Sequence, residues 1–593
     1  MKSGNWRVQL LVWRIKHLRS RNFIILLSII IGCLAGVAAV LLKEAVHLVE
    51  SLLTRGSDAN YANYYYLAYP LLGLLITTIL AKYLFREPFG HGVTDILYAI
   101  SKKSSNINRR KTYSNLFGSA ITVGFGGSVG LEAPIVMTGS AIASAVGQFT
   151  HLQAKKRALL IGCGAAGAIS AIFNSPIAGV IFSIEVILTQ VNINAFIPLL
   201  IASVAGSLTS MLLYHDDILF RFTLSEPFVA TDTPYFIILG VICGLVSLYF
   251  TRVTYTVEDW MATLQSPIYR ALMGGIAIGL MIFVFPPLYG EGYNFIKVLL
   301  HGKEANILDN SLFFYKIDNP LFIPVFIFGL ILVKPFASAV TLGSGGNGGI
   351  FGPSLFLGGV TGFWVARIIN SLGLIGSVSL SNFTLVGMCG VMSGVLHAPL
   401  TAIFLIAEIT GGYTLFVPLM LVSALSYSTI YYFERYSLYT RGLVKRGLLI
   451  TNDQDQLVLD QMEIDKLVEK DLLTIHPEAT LGDLVNLVQV SRRNIFPVIN
   501  EQKELMGIIT LDDIREIMFD TEAQQNVIIG TLSHAPPDVV SHRDTMQEVM
   551  DKFEKTGAWN LPVLNHGKYE GLISKSRIFN AYRRRLIRHR PEY

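Results

Sequence analysis

The stretch Gly126-Gly127-Ser128-Val129-Gly130-Leu131-Glu132-Ala133-Pro134 returns 219 residues later as Gly345-Gly346-Asn347-Gly348-Gly349-Ile350-Phe351-Gly352-Pro353. Four positions are identical, and Gly139 with Gly358 adds a fifth at the same spacing. A second set, Gly164, Gly167, Ser170, Pro176 and Glu185, returns 223 residues on as Gly387, Gly390, Ser393, Pro399 and Glu408. Shared transmembrane composition supplies glycines but does not keep motifs in order, so the chain holds two related halves. Short apolar pieces broken by Gly and Pro at matching places in two halves point to a binding site at the midplane of a transporter. The expected fold is an all-α polytopic membrane domain with an inverted-topology internal repeat and broken helices.

Composition agrees. Of 593 residues 52% are hydrophobic and 15% charged, with mean hydropathy +0.50, a balance far from that of a soluble enzyme. Between Arg157 and Asp216 the only acidic or basic side chain is Glu185, and between Asn319 and Tyr432 there are only Lys334, Arg367 and Glu408. Charge returns at soluble density after about Thr451. Lys2, Arg7, Arg14, Lys16, Arg19 and Arg21 precede an apolar run from Phe23 to Leu42, long enough to span a bilayer. By the positive-inside rule this basic start stays cytoplasmic. The four cysteines sit in apolar runs without metal or redox spacing and read as small core residues. The Arg583-Arg584-Arg585 cluster reads as a solvated helix face, and no nucleic acid partner is expected.

These shifts divide the chain into a basic N-terminal segment 1–22, a membrane domain 23–450 with halves at about 23–215 and 234–447, a linker 451–461, and modules at 462–520 and 526–586. The two modules repeat each other: Thr480, Pro497 and Val498 recur as Thr545, Pro562 and Val563, and Gly507 and Thr510 as Gly571 and Ser574. Each is expected to read helix, strand, strand, helix, with the first copy's elements at Leu481 to Val490, Phe496 to Ile499, Gly507 to Ile509 and Asp512 to Met518. The pair is expected to form one α/β cytoplasmic domain.

A helix N-terminus buried in a membrane offers unpaired N–H groups and the positive end of a dipole, which favour an anion without a basic side chain. Conduction needs binding that is favourable yet weak, and glycine-rich breaks supply it. The breaks at Gly130 to Pro134 and Gly349 to Pro353 are the candidates. Glu132 lies inside the first, where Phe351 lies in the second. A carboxylate beside anion-binding amides competes with the anion when ionised and withdraws when protonated, which makes it a gate. No basic residue lies in its own segment to make it a salt-bridged structural glutamate.

The sequence resembles the chloride channel and transporter (CLC) family. Its motifs match Gly90-His91-Gly92-Val93-Thr94, Gly130-Leu131-Glu132-Ala133-Pro134, Gly349-Ile350-Phe351-Gly352-Pro353 and a late Tyr439. The tail is similar to a pair of cystathionine-beta-synthase (CBS) modules. The resemblance implies that Glu132 is the external gating glutamate, that the Ile350 and Phe351 amides hold the central anion, and that the Tyr439 hydroxyl points at it. It also implies a homodimer with one pathway per subunit, a multi-pass protein of the plasma membrane with cytoplasmic termini, and chloride as substrate. In the tail it implies adenine nucleotide contacts at Thr510, Asp513 and Ser574, although no cofactor is required for transport.

Three departures in the membrane domain and one in the tail qualify the resemblance. His91 replaces the serine that faces the central anion, which puts a titratable donor there. Val186 stands where proton-coupled exchangers carry a second, internal glutamate, and valine cannot relay a proton. Leu131 and Ala133 replace a basic residue and a glycine around Glu132. In the second module Arg577 replaces the nucleotide-contacting aspartate. Channel-like conduction is therefore favoured over proton-coupled antiport. A CBS-bearing divalent-cation transporter would need clustered carboxylates, whereas Glu132, Glu185 and Glu408 lie far apart. No P-loop, His-Glu-x-x-His or nucleophile elbow suggests an enzyme.

Overall fold

The computed structural model describes residues 19–54, 64–89, 92–188, 193–213, 227–302, 307–308, 311–313, 322–373, 377–445, 459, 462–491 and 493–589. Gly90 and His91 lie outside the described residues. The chain divides into two compact units, Met1–Leu448 and Leu449–Tyr593. Among the described residues nine helices are long and apolar enough to cross a bilayer.

Among the described residues of the first unit eight helices build one half: α1 Ser20–Thr54, α2 Tyr69–Ile79, α3 Val93–Lys102, α4 Lys111–Gly124, α5 Glu132–Phe149, α6 Ala154–Phe173, α7 Pro176–Phe182 and α8 Ile193–Leu213. Eight more build the other: α9 Thr233–Thr263, α10 Pro267–Val284, α11 Tyr293–Leu300, α12 Phe322–Gly343, α13 Phe351–Leu372, α14 Leu380–Leu396, α15 Pro399–Ile409 and α16 Phe416–Phe433. A last helix, α17, spans Leu438–Val444. Packing repeats with the elements. α1 lies on α8, α5 on α6 and α6 on α8, as α9 lies on α16, α13 on α14 and α14 on α16. α2, α5 and α7 each pack on their own counterparts α10, α13 and α15, as elements beside a two-fold axis must.

Small residues set these contacts, because helices in lipid associate by close backbone approach. A Cβ on Gly139 would lie 2.4 Å from the Gly164 carbonyl oxygen, and one on Gly358 would lie 2.3 Å from that of Gly387. The matched glycines of the sequence repeat are thus the α5–α6 and α13–α14 crossing points. Two apolar runs that look continuous are divided. In the run 177–214, α7 gives way to a π-helical turn at Ser183–Ile187 and extended backbone at Leu188. In the run 399–433, α15 ends at Ile409 and Gly411 turns the chain at φ +69°, a conformation glycine adopts at little cost.

In the second unit β1 (Ile495–Ile499) pairs antiparallel with β2 (Leu505–Thr510). The short β3 (Val540–Ser541) runs parallel to β4 (Asn560–Asn565), which pairs antiparallel with β5 (Lys568–Ser574). The register shifts after Val498 in one hairpin and after Val563 in the other, equivalent places in the two modules. Capping boxes start the helices Leu481–Val490 (Thr480 with Asp483) and Met546–Thr556 (Thr545 with Glu548). One core gathers around Phe496 of the first module, and a second around Phe553 takes in Met462, Ile464, Leu467 and Val468 as well as residues of the second module. The helix expected over 512–518 is a single turn, Leu511–Ile514, followed by hydrogen-bonded turns. So short a segment has little propagation to offset the cost of nucleation.

Candidate anion site and its gate

The two breaks meet. Gly130 N donates to Gly349 O at 2.9 Å and Gly349 N to Gly130 O at 2.8 Å, so repeat-equivalent residues form an antiparallel bridge with each other. An antiparallel pair between equivalents requires a two-fold that reverses chain direction, as an inverted repeat demands. The reciprocity extends outward. Ser128 N donates to Thr341 Oγ1 at 3.2 Å, and its equivalent Asn347 N to Thr122 Oγ1 at 3.0 Å.

Glu185 and Glu408 obey the same symmetry. Glu185 accepts from the Leu400 and Thr401 amides at the start of α15, at 3.1 and 2.8 Å, and from Thr401 Oγ1 at 2.7 Å. Glu408 accepts from the Ile177 and Ala178 amides at the start of α7, at 3.0 and 2.9 Å. Each carboxylate meets the orphan donors of the other half's helix. Both carboxylates act as caps of those helix starts.

The halves part company at the mouth of α13. Glu132, the first residue of α5, is 1% exposed. Its Oε2 accepts from Gly352 N at 3.2 Å and its Oε1 from the Tyr293 hydroxyl. The carboxylate therefore sits on one N-terminal amide of α13, that of Gly352, where unpaired donors and the helix dipole favour negative charge. A Cβ on Gly130 would lie 2.0 Å from Glu132 Oε2, so the absent side chain makes room for the carboxylate. Phe351, in the equivalent position, turns into an aromatic cluster, stacked on Phe173 at 5.4 Å and edge-on to Phe182 at 6.1 Å. Ile350 and Phe351 are both buried at the start of α13.

Two more helix starts converge here. Gly92 precedes α3 at φ +45°, where an added Cβ would lie 3.0 Å from Ala133 O. Tyr439 is buried in the first turn of α17, whose start Ser437 caps. Thr94 Oγ1 donates to Tyr439 O at 3.0 Å, joining α3 to α17, and Tyr439 lies within Coulombic range of Glu132. Pro134 and Pro353 occupy the first turns of α5 and α13, where a missing N–H is no loss. Val186 is half-buried on the π-helical turn next to Glu185.

Tertiary structure also brings basic residues that local sequence lacks. Lys334 of α12 is fully buried, donates to Ser128 Oγ at 2.9 Å and lies 4.6 Å from the Phe356 ring centroid. Lys43 of α1 is buried and donates to Ile172 O at 2.6 Å. Both interact electrostatically with Glu132 and with Glu291, so Glu132, whose own segment holds no basic residue, gains basic neighbours from distant segments. Lys334 stands 219 residues from Asn115. The repeat copy of its bond to Ser128 is the bond from Asn347 Nδ2 to Asn115 O, 3.0 Å. Sequence reasoning also missed Glu291 and Tyr293, although Gly290-Glu291-Gly292 repeats Gly90-His91-Gly92 at the start of the corresponding helix.

In the tail, Thr510 and Asp513 bond to each other as a capping box, both Thr510 N and Oγ1 donating to Asp513 Oδ2 at 2.7 Å. Ser574 donates to Glu469 Oε1 at 3.2 Å, and Arg577 lies 3.7 Å from the same carboxylate. The two copies are thus chemically unlike: Asp513 caps a helix start in the first, and Arg577 stands in its place in the second.

The model of the voltage gated chloride channel family matches residues 72–430. The chain belongs to this CLC family. The CBS domain model matches residues 464–520 and 529–584. Chloride channel protein CLC-e of Arabidopsis thaliana is 26% identical over 434 residues, 68% of this chain and 59% of that protein. Voltage-gated ClC-type chloride channel ClcB of Escherichia coli O17:K52:H18 is 27% identical over 440 residues, 71% of this chain and 99% of that protein. The chain thus spans less than two thirds of the plant relative and nearly all of the bacterial one. Among solved structures, a slow cyanobacterial Cl-/H+ antiporter superposes with a TM-score of 0.61 at 22% identity, over 74% of this chain and 100% of its own. A eukaryotic CLC transporter does so with a TM-score of 0.58 at 19% identity, over 93% and 98%. These likenesses establish the CLC fold.

Proposed function

We propose that the membrane body conducts chloride and similar small anions, with Glu132 as its gate. The observation that carries this reading is the Glu132 carboxylate seated on the Gly352 amide at the N-terminus of α13. An ionised carboxylate there takes the place of a permeant anion, and a protonated one gives it up. The Ile350 and Phe351 amides hold the central anion, with the Tyr439 hydroxyl and His91 as the remaining donors. Gly90 and Gly92, Gly130 and Pro134, and Gly349 and Pro353 form the helix breaks along the path. The protein is a homodimer of the plasma membrane with both termini cytoplasmic, and each subunit has its own pathway.

Conduction is uncoupled from protons. Val186 offers no titratable group, and the adjacent Glu185 is committed to the Leu400 and Thr401 amides. Proton-coupled antiport is the competing reading, supported by the hydroxyl–carboxylate pair of Tyr293 and Glu132. Purified protein in liposomes separates them: a chloride gradient is expected to drive no uphill proton movement. Proton uptake at a fixed ratio to chloride would establish the antiporter instead. The CBS pair regulates transport without any required cofactor. An adenine nucleotide, where bound, would lie against Thr510 and Asp513 of the first copy, with Ser574 of the second copy held by Glu469. Calorimetric titration of the full chain with AMP is expected to give at most one site per subunit, and two equivalent sites would contradict the asymmetry.

A further inference from the structure

The sequence that precedes α11 repeats the sequence that precedes α3. Gly290-Glu291-Gly292-Tyr293 stands to α11 as Gly90-His91-Gly92-Val93 stands to α3. α11 packs on α13 as α3 packs on α5. The second copy grips the gate segment at two consecutive residues. Glu291 Oε1 accepts from Leu131 N at 3.0 Å, and the Tyr293 hydroxyl donates to Glu132 Oε1. Gly292 makes the double grip feasible. It holds φ +79°, and a Cβ there would lie 2.5 Å from the Phe356 ring and 3.1 Å from Pro287 O. Backbone this close to α13 allows residues 291 and 293 to reach Leu131, the N-cap of α5, and Glu132, its first residue.

We propose that Tyr293 is a latch for the gate, a positioning residue whose hydroxyl holds the Glu132 carboxylate on the α13 amides and sets the pH at which it lets go. This rests on Glu132 being the gate. A phenol donates one hydrogen bond, and a donor strengthens its hold on a carboxylate when that carboxylate is ionised. The closed, ionised gate therefore gains from Tyr293 and the open, protonated one loses that gain. The other charged and titratable groups around Glu132 are Lys43 of α1, Lys334 of α12, Tyr439 of α17 and Glu291 of the same loop. Glu50 of α1, paired electrostatically with His47, acts on Glu291 from behind. The two lysines favour the ionised gate, and Glu291 when ionised opposes it. Removing the Tyr293 hydroxyl leaves all of these in place.

Tyr293→Phe keeps the buried ring and deletes only the donor. Chloride efflux from liposomes is measured at symmetrical pH stepped from about 8 to about 4, for wild type, Tyr293→Phe, Glu132→Gln and the double variant. Without its donor the gate should open with less acid, so the activation midpoint of Tyr293→Phe moves to higher pH by about one unit, the size expected for one charge-assisted hydrogen bond. The double variant should match Glu132→Gln, which is expected to be open at every pH. A Tyr293→Phe profile that overlays wild type, or moves to lower pH, while Glu132→Gln is flat, overturns the latch and leaves the gate standing. A Glu132→Gln profile that keeps the wild-type pH dependence overturns the gate itself and the latch with it.

Discussion

The break at 126–134 and the break at 345–353 share a backbone and divide the labour. Gly126 and Gly345 take nearly the same conformation, φ +92° and +95°. The threonine, Thr122 or Thr341, that steadies each break belongs to the opposite half, and Gly130 and Gly349 bond to one another. The side chains then diverge. One break carries Glu132, which accepts from the other half's Gly352 amide, and the other carries Phe351, folded into an aromatic cluster with Phe173 and Phe182. Lys334 faces the first break where Asn115 faces the second. The two breaks thus start helices from like backbones and carry unlike side chains, the difference on which the proposed division into binding site and gate rests.

Equivalent substitutions in the two breaks should therefore behave unequally. The largest difference is expected between Gly349→Ala and Gly130→Ala. A Cβ on Gly349 meets Ala133 Cβ at 2.6 Å and Ala133 N at 3.1 Å, short and rigid neighbours, so overpacking should cost about 1–3 kcal/mol and lower the yield of folded protein. A Cβ on Gly130 meets the movable end of Glu132 at 2.0 Å and one main-chain atom, Gly352 N, at 2.9 Å, farther than the rigid Ala133 Cβ lies from a Cβ on Gly349. That variant should fold better and leak chloride at neutral pH. Size-exclusion profiles and liposome efflux measure the two effects, and equal loss of folded protein would break the comparison.

A smaller contrast is expected between Lys334→Met and Asn115→Ala. Deleting the buried ammonium removes a cation from around the gate and should raise half-saturating chloride about threefold to tenfold. Asn115 gives Asn347 chiefly its main-chain oxygen, so Asn115→Ala should leave chloride dependence unchanged. The smallest contrast is between the reciprocal caps. Glu185→Ala loses three hydrogen bonds and Glu408→Ala two. Each should destabilise by about 1.5–3 kcal/mol, with Glu185→Ala the larger. Thermal unfolding in detergent reads the order, and a larger loss for Glu408→Ala would contradict the cap geometry.

The repeat, the breaks and Glu132 were legible because they rest on glycine, proline and one acid in an apolar run, residue types with few alternative uses there. The reach of Lys334 to Ser128 was not, since 206 residues separate the pair and only the packed halves bring them together. Glu291 and Tyr293 left a trace, the second Gly-x-Gly, but two glycines around unlike side chains do not stand out from transmembrane composition. Apolar content outlined the runs 177–214 and 399–433 without marking the turns at Ser183–Ile187 and Gly411, where backbone conformation rather than hydrophobicity changes. In the tail Thr510 and Asp513 carry the spacing of a nucleotide contact and equally that of a capping box, and their mutual hydrogen bonds show the cap.

The most direct test of the gate is to look for the anion that Glu132 displaces. Crystals of Glu132→Gln grown in bromide and of wild type at alkaline pH, both measured at the bromine absorption edge, provide it. The variant should show an anomalous peak within hydrogen-bonding distance of the Gly352 amide, absent from wild type. A Glu132→Gln structure with bromide elsewhere in the pathway but none at that amide would contradict the claim that the carboxylate occupies an anion site.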